Sequence, residues 1–225
     1  MKSLLTFFIF LFTFSCAPKK VVELPQVNQV DISKISDISA AYLFYEPGQG
    51  DGIELNRKNL ISTTNWVVNV DKRLTLNQAI PKIIFLQDKK RNATHKNAEA
   101  KNYYTCDDLS QNTLGFIEFT EVHYHLKDTS DFKSTQGKTV SLVNFETSDR
   151  FELKLSGNDS IRYLKRPVSE LKTTLDSLHM KDQNLKFTLR FKGDLAFQDY
   201  ISVKSKLAKW AAKEGTVSKD EFIFN

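Results

Sequence analysis

The chain has 225 residues, of which 40% are hydrophobic, 12% aromatic and 26% charged, a composition typical of a soluble globular protein and unlike that of a disordered one. Its formal charge is +5, and removal of residues 1–15, in which Lys2 is the one charged side chain, leaves +4. Because acidic and basic residues alternate along most of the sequence, no dense basic stripe is predicted, and nucleic acid is excluded as an expected partner.

The first fifteen residues have the features of a signal peptide. Lys2 provides a positive charge, and an uncharged apolar run follows over residues 4–14. A helix of that length measures about 16 Å, whereas the hydrocarbon core of a bilayer is about 30 Å thick. The run is therefore too short for a permanent membrane span. It ends in Thr-Phe-Ser-Cys at residues 13–16, which resembles a bacterial lipobox cleaved before Cys16.

The lipobox resemblance implies that Cys16 carries diacylglycerol and that acyl chains anchor the mature protein to a membrane. The four residues after it, Ala-Pro-Lys-Lys, are not acidic. By similarity to lipoprotein sorting signals, this favours a periplasm-facing anchor in the cell envelope, on the outer membrane rather than the inner one. The alternative is a plain secretory signal cleaved near Ser15 or Ala17. Both interpretations export the chain.

The mature chain is predicted to begin with a tether. Residues 16–39 contain two prolines and no sustained hydrophobic period, so we expect a lipid-anchored linker with at most a short strand near residues 27–32. A compact aromatic run at residues 41–45 predicts the first strand of the folded part. The glycine-rich stretch 46–52 lacks the Lys-Ser/Thr pair of a phosphate-binding loop and leads into another strand pattern, so it predicts a turn.

The pattern up to residue 126 predicts a first α+β region over residues 40–126. Alternating residues at 66–70 indicate a strand, and apolar residues at helical spacing indicate a helix over residues 75–90. The polar stretch 91–112 is predicted to be a loop. The alternating stretch 114–126 is predicted to be one long strand.

A second region, residues 140–225, alternates strand and helix patterns. Apolar alternation and turns predict strands near residues 140–145, 151–155, 161–163, 187–191 and 221–225, and helices that begin at Pro167 and near residue 197. The expected fold class is α+β, with mixed or antiparallel sheets and two or three amphipathic helices packed on one face. The pattern leaves open whether the two regions form one domain or two.

The order of elements over residues 149–225 is hairpin, helix, strand, Gly-Asp turn, helix and final strand, carried by FELKLSGNDSIRYLKRPVSELKTTLDSL and NLKFTLRFKGDLAFQDYISVKSKLAKWAAKEG. It resembles the periplasmic domain of the ExbD/TolR family of biopolymer-transport proteins. That resemblance implies a partner-binding module beside a membrane motor that energises outer-membrane transport. Family members carry a transmembrane helix with a proton-coupling acidic residue, whereas residues 4–14 are short and contain no carboxylate. Force transduction is therefore not carried over to this chain.

The two regions also resemble each other at an offset of 121 residues. Seven apolar positions in the first match seven in the second: Trp66, Val68, Val70, Leu74, Leu76, Ile80 and Leu86 correspond to Phe187, Leu189, Phe191, Leu195, Phe197, Ile201 and Leu207. The match predicts two related strand-turn-helix halves. The alternative is that any two strand-turn-helix units share such a binary pattern.

One group of side chains has the chemistry of metal ligands. Strand alternation would place Glu121, His123 and His125 on the same side of the predicted strand. No further ligand is assigned to them, so a solvated strand face is the preferred interpretation and no cofactor is expected. Cys106 lies ninety residues from Cys16 and precedes two aspartates, which predicts a buried, unreactive thiol. No residue is recognised as catalytic.

These observations predict a non-enzymatic, lipid-anchored protein that faces the periplasm and binds another protein of the cell envelope. Its expected partners are a membrane, through lipid on Cys16, and an envelope protein, which a free sheet edge would bind as an extended strand. The identity of the partner and the oligomeric state are left open. The alternative is a metal-dependent or other envelope hydrolase.

Overall fold

The computed structural model describes residues 20–48, 50–126, 140–156, 160–214 and 217–225. In this part of the chain, two mixed β-sheets and three α-helices form an α+β fold, which confirms the predicted class. The predicted signal segment, Cys16 and the turns predicted at residues 157–159 and 215 lie outside the described residues.

The first sheet contains strands from the N-terminal part of the chain: β1 (Gln26–Val27), β2 (Ile38–Tyr45), β3 (Ile53–Asn56), β4 (Asn65–Val70), β5 (Asn102–Asp108) and β6 (Thr113–Glu118). Strands β2, β4 and β5 are parallel, β3 pairs antiparallel with β2, and β6 pairs antiparallel with β5. Helix α1 (Leu76–Arg91) connects β4 to β5 and confirms the helix predicted over residues 75–90. It begins at a capping box formed by Thr75 and Gln78.

Two predictions for this region were wrong. The stretch 91–112, predicted as a loop, contains the largely buried strand β5. Its short run of aromatic and β-branched residues suits a strand, but the polar residues on both sides concealed it. The stretch 114–126 is not one strand, because β6 ends at Glu118 and the next strand, β7 (His123–His125), belongs to the other sheet.

The second sheet has the order β10-β9-β8-β11-β12-β7. Its remaining strands are β8 (Val140–Phe145), β9 (Arg150–Ser156), β10 (Ile161–Pro167), β11 (Lys186–Lys192) and β12 (Val217–Phe224). Strands β7, β8, β11 and β12 are parallel, whereas β9 is antiparallel to β8 and β10. A 3-10 turn and helix α2 (Leu171–His179) connect β10 to β11, and helix α3 (Phe197–Glu214) connects β11 to β12.

The two halves of the structure follow the same plan at the predicted offset of 121 residues. In each half a central strand, β4 or β11, has a parallel neighbour on both sides. An antiparallel hairpin strand, β3 or β9, pairs with the outer side of one neighbour. A helix, α1 or α3, follows the central strand. The two helices begin at the equivalent residues Leu76 and Phe197. All fourteen apolar positions of the sequence match are buried in one continuous hydrophobic core. The binary match therefore reflects a shared local structure.

The halves are joined by reciprocal main-chain hydrogen bonds at the starts of α1 and α3. Residues Thr75 and Ala196, themselves 121 positions apart, form an antiparallel bridge. The N–H groups that follow donate across the junction in equivalent pairs: Leu76 to the Leu195 carbonyl (3.0 Å), Phe197 to Leu74 (2.7 Å), Asn77 to Gly193 (2.8 Å) and Gln198 to Lys72 (3.1 Å). Since the first N–H groups of a helix have no acceptor within it, each half supplies the acceptors for the helix of the other. This reciprocity is that of a pseudo-twofold relation.

Residues 20–32 pack against both halves, which differs from the tether predicted over residues 16–39. Strand β1 pairs with the end of β5, and Val27 and Val30 are buried in the core. The side-chain amide of Gln198 on α3 bonds to both the N–H and the carbonyl of Gln26, each at 2.8 Å. Local sequence did not reveal this, because the acceptors and donors that hold the segment come from remote parts of the chain.

We expect substitution of Gly115 by alanine to displace this N-terminal segment. A Cβ atom at residue 115 would lie 2.2 Å from Cγ2 of the buried Val30 and 3.3 Å from Sγ of Cys106. Overpacking of this kind costs about 1–3 kcal/mol, which urea denaturation of Gly115→Ala will measure. The Val30→Ala change removes the clashing atom, so the double variant should be clearly less destabilised than the sum of the two single changes. Additive effects would contradict the contact.

Candidate functional site

The three predicted metal-ligand residues are engaged with other side chains or exposed. The Glu121 carboxylate lies in the link before β7 and accepts a hydrogen bond from Lys219 Nζ at 3.1 Å. His123 is exposed, while His125 Nε2 lies 2.8 Å from Asp220 Oδ1 and its ring stacks on Phe222 at 4.6 Å. No group of three or more His, Cys, Asp or Glu side chains that could hold a metal ion occurs among the described residues.

The thiol of Cys106 lies in the core, as predicted. The side chain is fully buried on β5, and this burial raises the pKa of the thiol to about 12, with a smaller contribution from the charges of Asp108 and Asp107. The thiolate, which is the nucleophilic form, is therefore almost absent near neutral pH. Cys106 contributes packing to the fold and no reactive group.

A chain of buried hydroxyl groups connects the two halves. The Tyr104 and Tyr124 hydroxyls are 2.7 Å apart, those of Tyr124 and Tyr200 are 2.9 Å apart, and Tyr200 donates to Glu221 Oε2 at 2.8 Å. Lys204 Nζ forms an ion pair with the other carboxylate oxygen of Glu221. The three tyrosines, Glu221 and Lys204 come from β5, β7, α3 and β12. Their hydrogen bonds and ion pair therefore hold the short strand β7 against both halves.

The carboxylate at one end sets the direction of these hydrogen bonds. Each tyrosine has one O–H group, and that of Tyr200 is directed to Glu221, so Tyr124 donates to Tyr200 and Tyr104 donates to Tyr124. Burial raises the pKa of all three tyrosines well above the ordinary value, which keeps them neutral. The network is thus a fixed set of neutral hydroxyls that ends on a paired charge, and sequence reading missed it because Tyr104 lies in the stretch taken for a loop.

A groove of about 550 Å³ lies between the N-terminal segment and the middle of α3. Most of its lining is apolar, and the wall includes Ile32, Phe116, Val122, Leu207 and Val217. Charged groups of both signs lie on its rim: Asp31, Glu118, Glu121, Lys204 and Lys219. Because Lys204 and Glu121 are already paired within the protein, the groove offers apolar contact without selecting the charge of a ligand.

The outer edge of β10 is the most exposed regular backbone in the second sheet. Among the described strands β10 pairs with β9 alone, and six of its seven residues are exposed. Ile161 and Tyr163 project from the same face with 56% and 59% of their surfaces accessible. The strand also carries Arg162, Lys165 and Arg166. Of these, Lys165 pairs with Glu152 at 3.2 Å and Arg166 with Glu170 at 3.6 Å. Among the described residues, this edge therefore combines backbone outside any further strand pair, apolar side chains and the positive charge of Arg162.

A search among protein-family models, curated proteins and solved structures found no significant match to this chain. None of the helices in the described ranges is both long enough and apolar enough to cross a membrane.

One lysine occupies an unusual environment at the end of α1. Lys90 Nζ donates to the Lys101 carbonyl (2.9 Å) and to Asn102 Oδ1 (3.0 Å), and it lies 5.2 Å from the centre of the Trp66 ring. Both acceptors are uncharged. Burial lowers the pKa of this ammonium group from 10.5 to about 8, because desolvation disfavours the charged form.

The lowered pKa of Lys90 predicts a pH dependence of stability. Between about pH 8 and 10.5 the unfolded chain binds the proton that the folded chain has released, so this residue makes stability rise with pH in that window. We expect Lys90→Met to flatten the rise, and urea denaturation at several pH values from 7.5 to 10 will measure it. The exposed neighbour provides the control, since Lys89→Met should keep the wild-type profile. Parallel profiles for wild type and Lys90→Met would contradict the assignment.

Proposed function

We propose that this protein is a lipid-anchored, periplasm-facing lipoprotein of the cell envelope that binds a partner protein at the edge of β10. The anchor is supported by the sequence alone, through the short apolar leader and the lipobox-like residues ending at Cys16. The binding role is supported by the exposed strand edge. No described feature favours the alternative of a hydrolase.

The edge of β10 carries the proposal because it specifies the chemistry of its partner. Unpaired backbone N–H and C=O groups bind an extended segment as an added strand. Ile161 and Tyr163 would contact apolar side chains of that segment. Lys165 and Arg166 are paired with Glu152 and Glu170. Arg162 therefore supplies the positive charge that favours an acidic segment and disfavours a second copy of the same edge, since like charges placed opposite each other are destabilising. The expected occupant is an extended, acidic segment of another envelope protein.

The further proposal of an association with an ExbD/TolR-type transport-energising complex is supported by the order of elements over residues 149–225. Hairpin β9–β10, helix α2, strand β11, helix α3 and strand β12 follow one another as the resemblance implies. The order of elements is thus the feature that supports this association. Strand β10 lies within residues 149–225, the part of the chain that carries the resemblance.

Photocrosslinking in intact cells tests the proposed edge. A benzophenone amino acid replaces Tyr163 on the edge strand or Tyr42 on β2, which lies between β3 and β4 and has no free edge. We expect a discrete adduct from position 163 and none from position 42, because only the first lies beside an added strand. Mass spectrometry of the adduct identifies the partner.

Charge variants and the lipid anchor provide the controls. Arg162→Glu should reduce the adduct at position 163, whereas Lys34→Glu, an equal charge change at an exposed residue of the other half, should not. Cys16→Ser should release the protein from the membrane fraction. Equal adducts from both tyrosine positions would contradict the edge as the binding site, and a mature protein without acyl mass on Cys16 would contradict the anchor.

A further inference from the structure

The chain is already attached to the folded body at the first described residue. Lys20 Nζ forms ion pairs with Glu46, at 2.8 Å, and with Glu54, on either side of the turn between β2 and β3. Three residues later, the Glu23 N–H donates to Asp71 Oδ2 at 3.2 Å, and the Glu23 carbonyl accepts from the Lys72 N–H at 2.8 Å. Ordered contact with the body therefore starts within four residues of Cys16.

Covalent geometry limits how far the body can lie from a lipid on Cys16. Three residues separate Cys16 from Lys20, and an extended chain advances about 3.3–3.6 Å per residue. The Cα atom of Lys20 can then lie at most about 14 Å from that of Cys16. This distance is shorter than strand β2, whose eight residues span about 26 Å, so a lipid on Cys16 brings the end of the body that contains Lys20 to the bilayer.

That end, here called the anchor end, comprises Val21 together with residues 46–48 and 50–53, and it lies beside the junction at which the Lys72 carbonyl bonds to Gln198 of the second half. Strand β2 finishes there and β3 begins there, and Gln78 Nε2 on α1 donates to the Asp51 carbonyl at 2.9 Å. Val21 is two-thirds exposed beside it. The opposite end of the same half contains Ile61, whose N–H bonds to Ser39 Oγ near the start of β2, about 20 Å away along the strand.

The basic side chains at and beside the anchor end are paired within the protein. Besides Lys20, Lys72 lies 3.4 Å from Glu23, Arg73 lies 2.7 Å from Asp71, and Lys82 on α1 lies 3.0 Å from Asp51. Among the described residues, little positive charge is therefore left at this end to attract anionic headgroups, which act on unpaired Lys and Arg. The position of the body at a membrane would then depend on the short covalent connection and not on lipid charge.

We infer that the folded body rests directly on the phospholipid surface, with its anchor end facing the headgroups and with no free spacer between lipid and fold. This inference rests on the proposed lipidation of Cys16 and adds the surface that faces the membrane. A partner that binds β10 must then reach a body held at the bilayer.

Fluorescence quenching on vesicles tests this orientation. The acylated full-length protein is labelled with one fluorophore at Pro47→Cys on the anchor end or at Ile61→Cys on the opposite end, while the buried Cys106 stays unlabelled in the folded protein. The vesicles are phosphatidylcholine with or without a nitroxide on the headgroup. Because the two positions differ by about 20 Å in height, we expect quenching at position 47 to exceed that at position 61 by about twofold or more.

A spacer variant and a lipid variant separate the possible causes. Insertion of a long Gly/Ser spacer between Lys19 and Lys20 leaves the acylation signal intact and should remove the difference, whereas added phosphatidylglycerol should leave it unchanged. An acylated, vesicle-bound protein with equal quenching at both positions would overturn the orientation and leave the lipoprotein proposal standing. A protein that mass spectrometry shows to be unacylated at Cys16 would overturn both.

Discussion

The reciprocal capping of α1 and α3 is the constraint on which the rest of the structure depends. An unpaired N–H group in a buried position costs about 1–3 kcal/mol, and the first turns of both helices lie at the junction between the halves. The main-chain donors of Leu76 and Phe197 are satisfied only when the turn of the other half is present. Each of these helices is connected directly to the central strand of its own sheet. The junction therefore fixes the position of the two sheets relative to each other and keeps the core continuous.

The second half differs from the first by the buried polar chain built onto this plan. At the positions equivalent to Tyr200 and Lys204 the first half has Ala79 and Ile83, which are buried and apolar. The tyrosines and Glu221 thus break the internal symmetry on one side and hold β7 in the second sheet. The connection from the first half is fixed at β7, beside the groove and near the hydrogen-bonded side chains of His125 and Asp220.

Local periodicity predicted the elements that are themselves amphipathic, including α1 and the strand β9. It also predicted the shared offset of the two halves. It did not predict β5, β7 or the packing of residues 20–32, because these depend on partners far away in the sequence. The Pro25 carbonyl accepts a hydrogen bond from the Asp107 N–H. The side chains of Asp220 and His125, which are 95 residues apart in the sequence, are hydrogen-bonded. The exposure of Ile161 and Tyr163 is likewise a tertiary property. The lipidation of Cys16 stays a prediction from the sequence alone, because this residue lies outside the described part of the chain.

Native-state hydrogen exchange at the junction tests the central claim most directly. We expect the amides of four residues to exchange only through global unfolding, with the same free energy of opening in both halves: Leu76, Asn77, Phe197 and Gln198. The reason is that neither helix start is satisfied without the other. A lower free energy of opening for one pair, with the other pair still protected, would show that the halves open independently and would contradict the account.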